Sequence, residues 1–96
     1  MKMLMVIYSG TNPQSVTSLL DDHCAGGYSV FKDVSGAGVT GRRDGSRAWP
    51  GKSTLFVSIV PEFVASALTE TLRAEVKRLP VGERLHVAVL PIETFF

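Results

Sequence analysis

The sequence predicts an α+β fold in which a four-stranded antiparallel sheet carries two helices on one face. Four segments have the apolar or alternating pattern of strands, two have helical spacing, and their order along the chain is β-α-β-β-α-β. Because crossover connections are right-handed, both helices fall on the same face of the sheet. This order is the ferredoxin-like arrangement, here with one long loop between the second and third strands.

The first strand and first helix follow from the start of the chain. Residues 3–8 form a continuous apolar run, which is typical of a central strand buried on both faces. Asn12 and Pro13 predict a helix start, with asparagine as the N-cap and proline at the first helical position. Helical spacing continues to Cys24, and the glycine pair at 26–27 is expected to end this helix.

The second and third strands flank the long loop. Residues 28–34 alternate, with Phe31 and Asp33 on the same face, and predict the second strand. Residues 54–60 are apolar enough on both faces to predict a central third strand.

The second helix and last strand complete the pattern. Pro61 and Glu62 open the helix, Pro80 stops it, Gly82 turns the chain, and residues 85–90 predict the fourth strand. Helical spacing predicts a buried face made of Val64, Ala67, Leu68, Leu72, Val76 and Leu79.

The face of the sheet opposite the helices must also be covered. Phe31, Phe56 and the Phe95–Phe96 tail are the candidate surfaces, and they predict self-association.

Length and charge limit the classes of protein to consider. With 96 residues the chain is predicted to be one domain, 1–96. A net charge of +1 argues against a nucleic-acid-binding protein. Cys24 is the only cysteine, which is usual in a reducing cytoplasm, and no apolar run approaches the length of a membrane span. We expect a soluble cytoplasmic protein without a signal peptide.

The long loop, residues 35–52, is the most distinctive segment. It contains five glycines and four cationic side chains against one acid, Asp44. Such a loop is suited to binding an anion, and Trp49 among arginines also has the composition of a protein-docking surface. The same composition is found in loops that are merely solvated.

Two motifs on either side of this loop resemble those of the PII signalling proteins. Residues 34–38, Val-Ser-Gly-Ala-Gly, resemble the base of the family's long loop, the T-loop, and Val60-Pro61-Glu62 resembles the entry to its second helix. Lys2 before the apolar first strand also fits. The resemblance covers almost the whole chain. It implies a homotrimer that binds adenine nucleotides (ATP, ADP or AMP) in clefts between subunits.

The resemblance also assigns residues to the effector site. Gly36 and Gly38 match the loop base that approaches the nucleotide phosphates, and Gly82 and Arg84 are the residues that could serve in the shortened segment before the last strand. The chain departs from the family in lacking its arginine-bearing tail, and its loop has no tyrosine to accept uridylylation.

In the PII proteins the loop docks onto a partner. The corresponding residues here are Arg42, Arg43, Arg47 and Trp49, and a membrane transporter is a plausible partner class. A ligand-dependent shift in the population of loop conformations would then switch the docking.

A transition-metal sensor is the alternative hypothesis. His23, Cys24 and His86 are chemically suited to copper, nickel, cobalt or zinc. The resemblance extends to the CutA-like proteins, which share the trimeric fold and are linked to divalent metals. No nucleophile and base stand at a recognisable catalytic spacing, so the sequence does not predict an enzyme.

Overall fold

The computed structural model describes residues 1–23, 27–38, 41–42 and 53–96, and it confirms the βαββαβ order. The predicted bounds hold within one or two residues except at the end of the second helix, which stops at Val76, three residues before the predicted Leu79. A short hairpin lies inside the segment predicted as a loop. The elements are β1 (Lys2–Ser9), α1 (Gln14–His23), β2 (Ser29–Val34), β3 (Ala37–Gly38), β4 (Gly41–Arg42), β5 (Ser53–Val60), α2 (Glu62–Val76) and β6 (Arg84–Pro91).

The four long strands form one antiparallel sheet in the order β2-β5-β1-β6. The register places Val6 of β1 opposite Phe56 of β5 on one side and Val87 of β6 on the other. In the described part of the chain, β2 and β6 each pair on one side only and form the two edges. The hairpin β3–β4 is a separate two-stranded sheet.

The helices cover one face of this sheet, which we call the covered face. Alternate residues of β1 point into it, so that Leu4, Val6 and Tyr8 are each 1 % exposed. The two helices contact each other, and α2 also contacts β1 and β6. The core is completed by Val16, Leu20, Phe56, Val60, Ala65, Leu68, Leu72 and Leu85.

Two expectations about this core are wrong. Phe56 is 1 % exposed on the covered face and does not contribute to the opposite one. On α2, Ala67 and Val76 are exposed, and Ala65 is buried instead. The reason is that Ala65, Leu68 and Leu72 recur at three- and four-residue intervals, whereas Ala67 lies about 100° around the helix from Leu68.

The other face, which we call the open face, is also apolar. Neither helix of the described chain covers it, and its residues are half-buried or exposed, so the expectation that β1 is buried on both faces does not hold for one chain. The cross-strand register brings together Met3, Met5, Ile7, Phe31, Leu55, Val57, Ile59, His86, Ala88 and Leu90.

Strand β2 departs from the predicted alternation. Asp33 adopts a left-handed backbone conformation, with φ of 57°, and the pairing with β5 shifts register between Phe31 and Val34. This is a β-bulge, and it breaks the expected placement of Asp33 on the same face as Phe31.

The chain ends beside its beginning. The amide of Ile92 donates to the carbonyl of Met1 at 3.2 Å, and Phe95 and Phe96 beyond it are exposed. No helix in the described residues is both long enough and apolar enough to span a membrane.

Candidate effector site

Four chain segments meet at one end of the sheet. Ser9 ends β1 and pairs with Arg84 at the start of β6, while Val34 ends β2 and pairs with Ser53 at the start of β5. The hydroxyls of Ser9 and Ser53 are buried and hydrogen-bond each other at 2.6 Å. The turn after β1, the segment after β2 and the turn before β6 therefore all leave from this end.

A polar network ties two of these turns together. The Tyr8 hydroxyl donates to Oε1 of Glu83 at 2.7 Å and accepts from the amide of Asn12 at 2.9 Å. The amide and the hydroxyl of Thr11 both donate to Oε2 of Glu83, at 3.2 and 3.0 Å. The carboxylate of Glu83 is thus bound by three donors, one from the end of β1 and two from the turn that follows it.

These hydrogen bonds act on both ionisable groups of the network. Hydrogen bonds from Tyr8 and Thr11 hold the pKa of Glu83 below its ordinary value, despite partial desolvation. Burial, and then the hydrogen bond to Glu83, raise the pKa of Tyr8. At neutral pH the network therefore holds a charged carboxylate and a neutral phenol.

The network leaves no room for a side chain at position 10, which is a glycine. A Cβ atom at position 10 would lie 2.3 Å from the Tyr8 hydroxyl oxygen and 2.6 Å from Cδ and Oε1 of Glu83. The short polar turn after β1 is therefore packed directly against the segment before β6.

The predicted effector residues lie at both edges of this end of the sheet. Gly36 follows β2 and is exposed, and Gly38 pairs with Gly41 in the β3–β4 hairpin. Gly82, with φ of 90°, is the third residue of a turn closed by the hydrogen bond from the amide of Glu83 to the carbonyl of Pro80, so its predicted turning role is confirmed.

The two halves of the predicted site are well separated within one chain. Arg84 is exposed and begins the edge strand β6, whereas Gly36 follows the opposite edge strand β2. Three strand spacings of about 4.8 Å place the edges roughly 14 Å apart. The buried Ser9–Ser53 pair lies between them. Within one chain the two halves therefore lie at opposite edges of the sheet.

The predicted docking residues are only partly described. Arg42 lies in β4, where it pairs with Ala37. Arg43, Arg47 and Trp49 lie outside the described residues.

The two predicted metal ligands that the structure describes, His23 and His86, lie on opposite sides of the sheet. Nδ1 of His23, at the end of α1, lies 2.8 Å from the carbonyl of Leu19, on the helical side of the sheet. His86 is exposed on the open face, opposite Ile7, and Cys24 lies outside the described residues. No group of three or more His, Cys, Asp or Glu residues able to hold a metal ion occurs in the described part of the chain.

Sequence reasoning missed the network and its two central residues, Tyr8 and Glu83. They are 75 residues apart, and only the topology, which places the end of β1 beside the start of β6, brings them into contact. The available signal was the short Ser9-Gly10-Thr11 turn, where a glycine stands between polar residues.

Comparison with known proteins identifies the fold. No protein-family model matches the sequence, and no curated protein matches it significantly. Among solved structures, CPII from Thiomonas intermedia K12, described as a nitrogen regulatory PII-like protein bound to ADP, AMP and bicarbonate, has a TM-score of 0.69 at 22 % identity. The match covers 97 % of this chain and 88 % of CPII.

Two further structures agree. The apo form of CPII has a TM-score of 0.63 at 20 % identity, covering 93 % of this chain and 87 % of CPII. A putative PII-like signaling protein from Thermus thermophilus has a TM-score of 0.66 at 19 % identity, covering 92 % of this chain and 82 % of that protein. The chain therefore has the fold of the PII-like proteins.

Proposed function

We propose that this chain is a divergent PII-like signalling protein of the cytoplasm, which forms a homotrimer and binds an adenine nucleotide between its subunits. The observation that carries the proposal is the likeness, over 97 % of the chain, to CPII in its complex with ADP, AMP and bicarbonate. The proposed role is regulatory and requires no bond to be made or broken.

Self-association is supported by the open face of the sheet. Strands β5, β1 and β6 present apolar residues side by side on this face, such as Met5 opposite Val57 and Ala88. Monomeric proteins rarely leave a contiguous apolar surface of this kind in water. The number of subunits, three, is what the PII resemblance implies.

The separation of the two halves of the site supports a location between subunits. Arg84 and the turn at Gly82 belong to one edge of the sheet, and Gly36 and Gly38 to the other. If the β6 edge of one subunit adjoins the β2 edge of its neighbour, both halves contact one ligand. The guanidinium and the glycine amides then supply charge-assisted and backbone hydrogen bonds to phosphate.

The acidic residue within this segment is compatible with an anionic ligand. Glu83 stands between Gly82 and Arg84, where its charge would repel phosphate. Hydrogen bonds from Tyr8 and Thr11 leave that charge in place but hold both carboxylate oxygens against the turn after β1. Arg84 makes no ion pair with the described residues, so its charge is available to the ligand.

The loop after β2 would report the bound state to a partner. In this proposal a nucleotide at Gly36 and Gly38 biases the conformations of the loop that carries Arg42, Arg43, Arg47 and Trp49. Those residues then dock onto a protein partner, for which a membrane transporter is the candidate class.

The test is a calorimetric titration of the full chain with ADP, with its mass measured by light scattering. We expect a trimer, and Arg84→Gln should weaken ADP binding about tenfold because one charge-assisted contact is lost. Arg73→Gln, an exposed arginine on α2, is the matched control and should bind like the parent. A stable trimer that shows no heat with ADP would refute the nucleotide site, and a monomer at all concentrations would refute the assembly.

A further inference from the structure

A cavity of about 460 Å³ lies on the covered side of the sheet, between the N-terminus of α1 and strands β2 and β5. Its apolar lining comes from Val30 and Phe56, which are opposite each other in the β2–β5 register, and from Pro13. The volume is in the range of small-molecule sites, which are typically apolar with a few polar groups.

The β-bulge of β2 gives this cavity both a positive and a negative group. In a regular strand Lys32 and Asp33 would point to opposite faces. The left-handed conformation of Asp33, at the register shift, lets both residues line the same cavity. Bulges at sheet edges commonly redirect a side chain in this way. Neither residue forms an ion pair with the described residues, so both charges are available to a ligand.

The cavity also contains a hydroxyl, that of Thr54, without a hydrogen-bond partner among the described residues. Thr54 lines the cavity and is 8 % exposed, and within the described chain its hydroxyl makes no hydrogen bond. By contrast, the other buried hydroxyls of β5 are paired, Ser53 with Ser9 and Ser58 with the carbonyl of Gly27. Because this hydroxyl faces the cavity, a ligand bound there can hydrogen-bond to it in place of water.

The first turn of α1 adds a weak positive potential. The amides of Ser15, Val16 and Thr17 bond to carbonyls of residues 12 and 13. Gln14, at the first helical position, also lines the cavity. The helix dipole at this end favours a ligand carboxylate beside Lys32.

We propose that this cavity binds a free aliphatic α-amino acid. The ligand carboxylate lies between Lys32 and the start of α1, its ammonium group pairs with Asp33, and its side chain packs on Val30 and Phe56. The hydroxyl of Thr54 completes the set by hydrogen bonding to the ligand. This site is distinct from the nucleotide site proposed above, since its groups come from a single chain and lie on the covered side of the sheet.

The experiment uses three probes of the same shape on the ¹⁵N-labelled full chain, followed by NMR. L-Leucine carries both charges, 4-methylpentanoate lacks the ammonium group, and 3-methylbutylamine lacks the carboxylate. We expect leucine to shift the amide signals of Gln14, Thr17, Asp33 and Thr54, and to bind about tenfold more tightly than either analogue.

Single substitutions test the charges of Lys32 and Asp33 one at a time. Lys32→Gln and Asp33→Asn should each weaken leucine binding about tenfold, and asparagine retains the left-handed conformation of the bulge. Thr54→Val should also weaken binding while keeping the shape of the side chain. Lys77→Gln, exposed after α2, is the control and should leave binding unchanged.

Three outcomes would overturn the proposal. Leucine at millimolar concentration could leave the cavity signals unmoved, 4-methylpentanoate could bind as tightly as leucine, or the Lys32 and Asp33 variants could bind like the parent. Displacement of leucine by ADP would show that the cavity belongs to the nucleotide site and would refute the separate site. The nucleotide proposal itself is unaffected by any of the first three results.

Discussion

The two faces of the sheet are both apolar, but the chain covers only one of them. Strand β5 shows the contrast most clearly. On its covered face Thr54 and Ser58 are polar, whereas on its open face Leu55, Val57 and Ile59 are aliphatic and Ser53, at the start of the strand, is polar. The face that the chain leaves open is therefore the more uniformly apolar side of this strand.

The two faces also differ in how their packing is completed. On the covered face the helices complete the core, and the polar network of Tyr8 and Glu83 packs at its end, beyond β1. The open face has no such closure within the described chain. Within the described chain, the helices therefore bury most of one face, whereas the other face stays exposed or half-buried.

The strongest test of the comparison removes one phenylalanine from each face. Phe56→Ala should lower the free energy of unfolding by about 3–5 kcal/mol, because it leaves a cavity in the core. Phe31→Ala, on the open face, should cost less than about 1 kcal/mol in the unassembled chain, while weakening self-association. Chemical denaturation and light scattering measure the two effects.

Equal destabilisation by the two substitutions would contradict the distinction between the faces. So would self-association that is unaffected by Phe31→Ala and lost only with Phe56→Ala.

A second test addresses the polar network of Tyr8 and Glu83 at the end of the covered face. Gly10→Ala should lower the free energy of unfolding by about 1–3 kcal/mol, because the new Cβ displaces the Tyr8 hydroxyl and the Glu83 carboxylate. Gly36→Ala is the matched control, since a Cβ there meets nothing within 4 Å and should leave stability nearly unchanged. Equal stability of the two variants would show that the polar network does not contribute to the free energy of unfolding.

The smallest expected effect is the pH dependence of the stability that Glu83 contributes through this network. Because the pKa of Glu83 is lowered in the folded chain, its contribution is present above the ordinary glutamate pKa of about 4.3 and is lost as pH falls through the lower folded value. The contribution should be below about 1 kcal/mol, since Glu83 is partly solvated.

Denaturation of the parent and Glu83→Gln as a function of pH measures this contribution. The parent should lose its advantage over the variant only below about pH 4.3. A difference that stays constant at all acidic pH values, or an advantage that grows on acidification, would contradict the role of the ionised carboxylate.

The sequence predicted the order of elements because each depends on local pattern. The helix start near Asn12 and Pro13 and the turn at Gly82 are specified by residue type, and the structure places both elements there within a residue or two. Local pattern does not determine which of the two alternating sets of strand residues faces the helices. Both sets of β5 are largely apolar, so the alternation alone could not place Phe56, and its predicted face was wrong.

The site was harder to predict than the fold. The contact between Tyr8 and Glu83 depends on strand order, which brings together residues far apart in sequence. The bulge at Asp33 depends on one residue adopting a left-handed conformation that aspartate tolerates without requiring it. The predicted roles of Gly36, Gly38, Gly82 and Arg84 stay predictions until a nucleotide is titrated.

The two edges of the sheet have different consequences for a newly made chain. The β2 edge carries a bulge and two charged residues, Lys32 and Asp33, features that discourage pairing with a foreign strand. The β6 edge is regular over its register with β1, and Val89 and Leu90 on it are exposed. If the chain forms the proposed homotrimer, rapid assembly would also protect it against aggregation, and β6 is the edge at which unassembled chains would first associate wrongly.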